Sequence, residues 1–407
     1  MTARARAALL LCTLLAATAL PAHAAPEGAW RTAWSNSPDS AGPALSAQTL
    51  RQVVRASTAG SRVRVRLSNL YGTAPLAIGT ARVALSAGGA RIAPASDRQL
   101  TFGGRPGATI APGASVLSDP VDLAVPALRP LAVSLYLPHS VPAATIHGAA
   151  LQTAYIGVPG DATAAPDLPA AKKDDTRWFL ADVEVLGGGA GGTLAIVGDS
   201  IADGIGAGDD RDARWPDALA ARLQADPAFA GIGIGIANGG IAGNRLLRDG
   251  AEPYVGPSAL ARFERDALDK PGVRWVLVHE GLNDITANGM LAAPAQHATV
   301  AELRDGLRTL AARARERGIR IWAGTMTPLA GTKRFHSAAV ERDRQAMNAW
   351  IRTAGVFDAV VDFDAALRDP ADASRLNPAF DSGDHLHPNE AGYRAMARQI
   401  DLALLRP

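Results

Sequence analysis

The chain has 407 residues, with 41 Lys and Arg against 39 Asp and Glu and a single cysteine. So even a charge balance gives no support to nucleic-acid binding, which rests on neutralising phosphates, and one cysteine excludes a disulfide framework. The length favours two domains over one.

The first residues, MTARARAALLLCTLLAATALPAHAAPEGAW, carry Arg4 and Arg6, an apolar run over 7–20 and then Ala22-His23-Ala24. A basic head, a short apolar core and a small-x-small site make residues 1–24 a secretory signal, too short to span a bilayer as a helix. No later stretch approaches the roughly eighteen uncharged residues that a transmembrane helix needs, so the mature protein is expected to be soluble and secreted, to the periplasm or outside the cell. Cys12 sits within the apolar run rather than after it, where a lipid-attachment cysteine would stand. Once the signal is removed no thiol is left for a disulfide, a thiolate ligand or a cysteine nucleophile. Cleavage after Ala24 also removes two arginines and no acid, which brings the formal charge of +2 to zero.

Residues 26–186 read as β: short runs, frequent Gly and Pro, little helical periodicity. SRVRVRLSN sets Val63, Val65 and Leu67 against Arg62, Arg64 and Arg66, one face for a core and one for water. LAVSLYLP repeats the pattern with Val133, Leu135 and Leu137, and several such runs predict a β-sandwich or jelly-roll-like domain. The arginine stripe is read as a solvated sheet face rather than an anion-binding one. VPGDATAAPDLPAAKKDD, residues 158–175, reads as an exposed loop, and the Gly-rich 187–192 as a flexible linker.

Residues 193–407 change texture to apolar strands alternating with amphipathic helices. Strands are expected at 194–197, 232–236, 275–278, 319–323 and 359–361. VAELRDGLRTLAARARERG, residues 300–318, puts Leu303, Leu307, Leu310 and Ala314 on one stripe with arginines opposite. Five strands with crossover helices predict a five-stranded, doubly wound parallel sheet covered on both faces. In such sheets the ligand site lies beyond the carboxyl ends of the strands.

Polar residues collect at those ends: Gly198-Asp199-Ser200, Asn238-Gly239-Gly240, Gly281-Leu282-Asn283-Asp284, and DSGDHLHPNEAGY before the last helix. A serine hydroxyl becomes a nucleophile when an imidazole takes its proton, and His387 is placed for that task. Asp384, three residues earlier, can meet the imidazole Nδ1 from a tight turn and fix its tautomer. The attacked carbonyl oxygen becomes an anion, and each donor aimed at it is worth about 3 to 4 kcal/mol. The N–H of Ser200, the N–H of Gly240 and the Asn283 side chain are the donors expected here.

These four blocks, GDS, NGGIAG, GLND and DHLHP in that order, resemble an SGNH hydrolase of the GDSL esterase/lipase family. The resemblance covers residue 193 to about 405, roughly half of the chain, and implies that this half is a three-layer α/β/α, flavodoxin-like domain. It implies Ser200 as nucleophile, Gly240 and Asn283 as oxyanion donors beside the Ser200 amide, and Asp384 with His387 as dyad partners, with no cofactor and no metal. Ile201 stands where the family name has leucine. His279 and Glu280 precede the third block where small or apolar residues are expected, and the EG-x-ND pattern resembles the branch containing secreted carbohydrate esterases.

Plainer readings compete. Ser200 alone would be a helix cap, and Asp199 is read as structural, bonding loop amides. Gly239 and Gly240 would mark a turn, and matching N-x-G selects Gly240 as donor. Asn283 and Asp284 would cap the following segment. His385 rivals His387, but the D-x-x-H spacing favours the latter. His385, His387, Asp381 and Asp384 could also hold zinc, yet no partner motif appears at another strand end. DGIGAGDD lacks the third glycine of a nucleotide loop, and G-x-S-x-G is absent. His139, His147, His297 and His336 are read as surface or hydrogen-bonded structural residues. The expectation is a secreted serine esterase for short-chain or carbohydrate O-acetyl esters, its partner a small-molecule or polysaccharide ester. Alternatives are a lipase or lysophospholipase, a non-catalytic glycan-binding protein retaining the fold, and a metallohydrolase.

Overall fold

A computed structural model describes residues 28–168, 171–288 and 296–407; the expected signal and Cys12 lie outside the described residues. The first half is all β, two large antiparallel sheets over a common core with a three-stranded and a two-stranded sheet beside them. One sheet orders Ala29–Ser35, Leu180–Gly187, Gly60–Ser68 and Ser115–Leu117, with Val121–Val125 also on Gly60–Ser68. The other runs Lys172–Asp174, Ala154–Val158, Gln48–Arg55, Pro130–Leu137, Thr80–Gly88 and Arg91–Ile92. Val63, Val65 and Leu67 bury against Val83, Val133 and Leu135 as the alternation requires.

The arginines on the opposite face of Gly60–Ser68 are neutralised by neighbouring strands. Arg64 pairs with Glu184 and lies 4.2 Å over the Trp30 ring, Arg66 reaches Asp182 at 3.2 Å, and Arg62 reaches Asp122 at 3.0 Å. The expected exposed loop at 158–175 is partly folded onto the second sheet. Buried Arg51 donates to the carbonyls of Thr163 and Ala165 at 2.9 and 2.8 Å, and Lys172–Asp174 adds an edge strand. A cation inside the fold has to find acceptors, and these loop carbonyls supply them.

The linker is also more ordered than glycine content implies. Arg31 donates to the carbonyls of Gly188 and Gly189 at 2.7 and 2.6 Å, and the Gly191 N–H donates to Ile232 at 2.8 Å. A side chain at Gly189 would collide with the carbonyl of Gly231. The glycines there permit close backbone approach rather than freedom.

The second half has a five-stranded parallel sheet: β1 (Thr193–Gly198), β2 (Gly235–Gly240), β3 (Val273–His279), β4 (Arg320–Gly324) and β5 (Ala359–Val361), ordered β2-β1-β3-β4-β5. β1 is buried throughout, as a central parallel strand must be. Helices follow as α1 (Ser200–Asp203), α2 (Trp215–Ala225), α3 (Ala259–Phe263), α4 (Leu282–Ala287), α5 (Val300–Glu316), α6 (Ala338–Thr353), α7 (Phe363–Leu367) and α8 (Glu390–Gln399). α2 and α7 pack on α8, while α3 and α6 pack on α5, the two layers that right-handed crossovers produce. α5 starts at a capping box between Thr299 and Glu302. β2 begins three residues later than its apolar run suggests, because its carboxyl half is the small segment Asn238-Gly239-Gly240.

β2 is an edge strand, and the β half covers it. Ser35 Oγ donates to the Asn238 carbonyl at 3.1 Å, the Ile236 N–H donates to Ser57 Oγ at 2.9 Å, and the Thr32 N–H donates to Thr193 Oγ1 at 3.1 Å. A side chain at Gly235 would strike the Thr32 carbonyl. No helix among the described residues is long and apolar enough to cross a membrane.

Candidate active site

Ser200 follows β1 directly, and the capping role falls to its neighbour: Asp199 Oδ1 accepts the Ile201 N–H at 2.9 Å. That leaves the Ser200 hydroxyl free to face His387, whose Nε2 lies 2.9 Å from Oγ. The His387 Nδ1 lies 2.5 Å from Asp384 Oδ2. A carboxylate can only accept, so Nδ1 carries the proton and Nε2 accepts from the serine O–H. Asp384 Oδ1 accepts the N–H groups of Leu386 and His387 at 2.9 and 2.8 Å. Partial burial opposes its charge, but these amides and the imidazole hold its carboxyl below the usual range.

His385 turns the other way. Its Nδ1 meets Asp381 Oδ2 at 2.6 Å and its side chain is half exposed. No group of His, Cys, Asp and Glu suited to a metal occurs among the described residues.

The Ser200 N–H has no hydrogen-bond partner among the described residues. The Gly240 N–H does: it donates to Asn238 Oδ1 at 3.0 Å, inside a buried strand end. The expectation that Gly240 offers an open donor therefore has to be corrected, since its proton is already taken by its own loop. Three residues on, Gly243 occupies a tight turn closed by the Asn244 N–H on the Ile241 carbonyl at 3.0 Å. Its φ of 77° suits glycine, and Val255 packs where a side chain would stand. The Gly243 N–H has no partner among the described residues. Its turn is held beside Ser200 on both sides: Ala242 N–H donates to Asp203 Oδ2 at 3.1 Å, and the Asn244 carbonyl accepts Asn283 Nδ2 at 2.9 Å. Asn283 Nδ2 also reaches Asp199 Oδ2 at a longer 3.3 Å. Asp284 accepts the amides of Leu246 and Leu247 at 2.7 and 3.1 Å, and burial pushes its carboxyl up to about 6.

A hydroxyl, an imidazole, a carboxylate and unspent amides thus meet at one rim, an arrangement able to take a proton from oxygen and steady an oxyanion. Residues 196–395 match the model of the GDSL-like Lipase/Acylhydrolase family. The second half carries a GDSL-like lipase/acylhydrolase domain. The chain is accordingly a carboxylic ester hydrolase. Similar solved structures include an acetylxylan esterase from Geobacillus stearothermophilus, at 24% identity over 52% of this chain and 93% of that one, TM-score 0.40. Another is an alpha/beta hydrolase enzyme from the metagenome of Lake Arreo in Spain, at 24% identity over 53% and 95%, TM-score 0.40. No curated protein matches the chain.

Behind the rim of this GDSL-like domain lies a buried charge cluster that sequence reading missed. Arg262, wholly buried in α3, donates to the carbonyls of Gly198 and Gly239 at 3.0 and 2.5 Å, tying the ends of β1 and β2. It also reaches Asn244 Oδ1 at 3.0 Å, Asp266 at 3.1 Å and Glu280 at 3.3 Å. Burial raises Asp199 and Glu280 above the ordinary carboxylate range. It lowers His279, which packs edge-on to Phe363 with ring centroids 5.0 Å apart. The Gly243 signal was in the sequence, as a third glycine in NGGIAG; an arginine in a short helix has none.

Proposed function

We propose that the chain is a secreted serine esterase acting on short-chain esters, carbohydrate O-acetyl esters among them. The observation that carries the reading is the hydrogen-bonded relay from Ser200 through His387 to Asp384. His387 Nε2 takes the Ser200 proton as Oγ attacks the ester carbonyl, and the Asp384 charge steadies the imidazolium. The oxyanion rests on the N–H groups of Ser200 and Gly243 and on the Asn283 amide, whose 3.3 Å contact with Asp199 is the weaker of its two. Collapse expels the alcohol, which takes the proton from His387. Water then attacks the acyl-enzyme, giving its proton to His387, and the acid leaves as Ser200 is restored.

The loop bearing Val255 also borders a cleft of about 500 Å³ with a mixed lining, Asp249, Glu252 and Arg265 beside Leu70, Pro253 and Pro257. Among the described residues only two large apolar side chains, Tyr254 and Val360, are exposed. Secretion is inferred from residues 1–24.

The test compares wild type with Ser200→Ala on acetylated polysaccharide and on p-nitrophenyl esters of rising chain length. Ser200→Ala should lose about 10⁴-fold or more in kcat and all labelling by a fluorophosphonate. Equal rates for the two proteins would remove the serine mechanism. A rate that climbs with acyl length would move the enzyme to the lipases.

A further inference from the structure

We propose that His147, a residue of the β half, is a positioning residue for Ser200, locking the nucleophile's helical turn against the glycine turn across the junction of the two halves. The inference rests on Ser200 being the nucleophile. His147 ends the strand Ala144–His147 and is buried. Its Nε2 lies 3.0 Å from Asp203 Oδ1, and its Nδ1 lies 2.9 Å from the Ser37 carbonyl and 3.4 Å from Asp39 Oδ2. Both ring nitrogens face groups that only accept, so both carry protons and the ring is an imidazolium.

Asp203 closes the turn that Ser200 opens, and its other oxygen accepts the Ala242 N–H at 3.1 Å, one residue before Gly243. One carboxylate therefore joins the nucleophile's turn to the turn presenting the second backbone donor, and His147 holds that carboxylate. Asp39 is fixed in turn by the Gly148 N–H at 2.7 Å and by Ser40 Oγ at 2.6 Å. Around this cluster Arg214 and Tyr393 feel the Asp203 charge and Tyr71 feels that of Asp39; the Tyr393 hydroxyl donates to the Ile205 carbonyl at 2.6 Å. Burial opposes the His147 charge, but Asp203 and Asp39 outweigh it and lift the imidazolium to about 9. Above that pH, two buried carboxylates lose the cation between them.

The experiment measures kcat and KM against pH for wild type, His147→Gln, Asp203→Asn and the double variant, with melting temperatures. His147→Gln should lower kcat on the order of tenfold to a hundredfold, the scale of a displaced reacting group, and leave KM within about twofold. The wild-type kcat should fall above pH about 9, and His147→Gln should lack that limb. The double variant, in which a neutral amide pair replaces the ion pair, should regain most of the lost kcat. Wild-type kcat in His147→Gln, or an unchanged alkaline limb, overturns the proposal. If His147→Gln does not fold, the wild type decides: fluorophosphonate labelling of Ser200 must slow above pH about 9 while circular dichroism is unchanged, and steady labelling overturns it. An active Ser200→Ala sinks the serine reading, whereas an inactive Ser200→Ala beside a fully active His147→Gln sinks only this one.

Discussion

At the residue scale, the site works by dividing labour between neighbours. Asp199 caps the short helix, and Ser200 is left with a hydroxyl that only His387 engages. Replacing Asp384 by Asn should leave the loop in place but let the imidazole settle in the wrong tautomer, with kcat down roughly 10³ to 10⁴-fold. Steady-state kinetics on a short ester checks this, and a loss below tenfold would contradict it. Asn283→Ala should reduce kcat about 10² to 10³-fold with KM little changed, because an oxyanion donor acts in the transition state; a change confined to KM would remove Asn283 from that role. Ser200, Asp384 and His387 are legible in the sequence because their motifs are local and each forces one geometry. The glycine block is less so: NGGIAG offers three glycine N–H groups, and only the backbone path shows that Asn238 consumes the one at Gly240. His147 has no chemical neighbour in sequence, since Asp203 and Ser37 come from distant segments.

At the level of elements, one guanidinium holds the ends of β1 and β2 together, gripping the last carbonyl of β1 and the penultimate one of β2. Arg262→Met should destabilise the fold by about 3 to 5 kcal/mol, the cost of leaving buried Glu280 without its cation and Asp266 with Arg265 alone beside it. Urea unfolding followed by tryptophan fluorescence measures it, and a cost under 1 kcal/mol would mean that Glu280 is neutral already. The five strands of the parallel sheet and α5 follow from apolar runs and a 3.6-residue stripe, so they can be read without coordinates. The register of β2 and the folding back of 158–175 cannot. The former depends on where glycines permit two backbones to meet, the latter on Arg51 seeking acceptors far along the chain.

Across the whole molecule, the two halves meet through β2, the Arg31-bound linker, the Lys270–Asp182 pair at 2.5 Å and the His147 cluster. Calorimetry should therefore record one unfolding transition; two resolved transitions would show that the halves fold independently. The pH dependence has a defined direction. His147 titrates near 9 in the folded chain and at roughly 6.5 when unfolded. Its contribution is complete below the lower value and is lost as pH rises through the upper one. The urea midpoint should decline over that window in wild type and stay flatter in His147→Gln.

The pairing of Ala29–Ser35 with Leu180–Gly187 has a consequence for association between copies. It fixes Ala29–Ser35 in place against β2, so the hydrolase half does not present a bare sheet edge there. Amides that in a naked edge strand would invite fibril-like stacking are hidden from other copies.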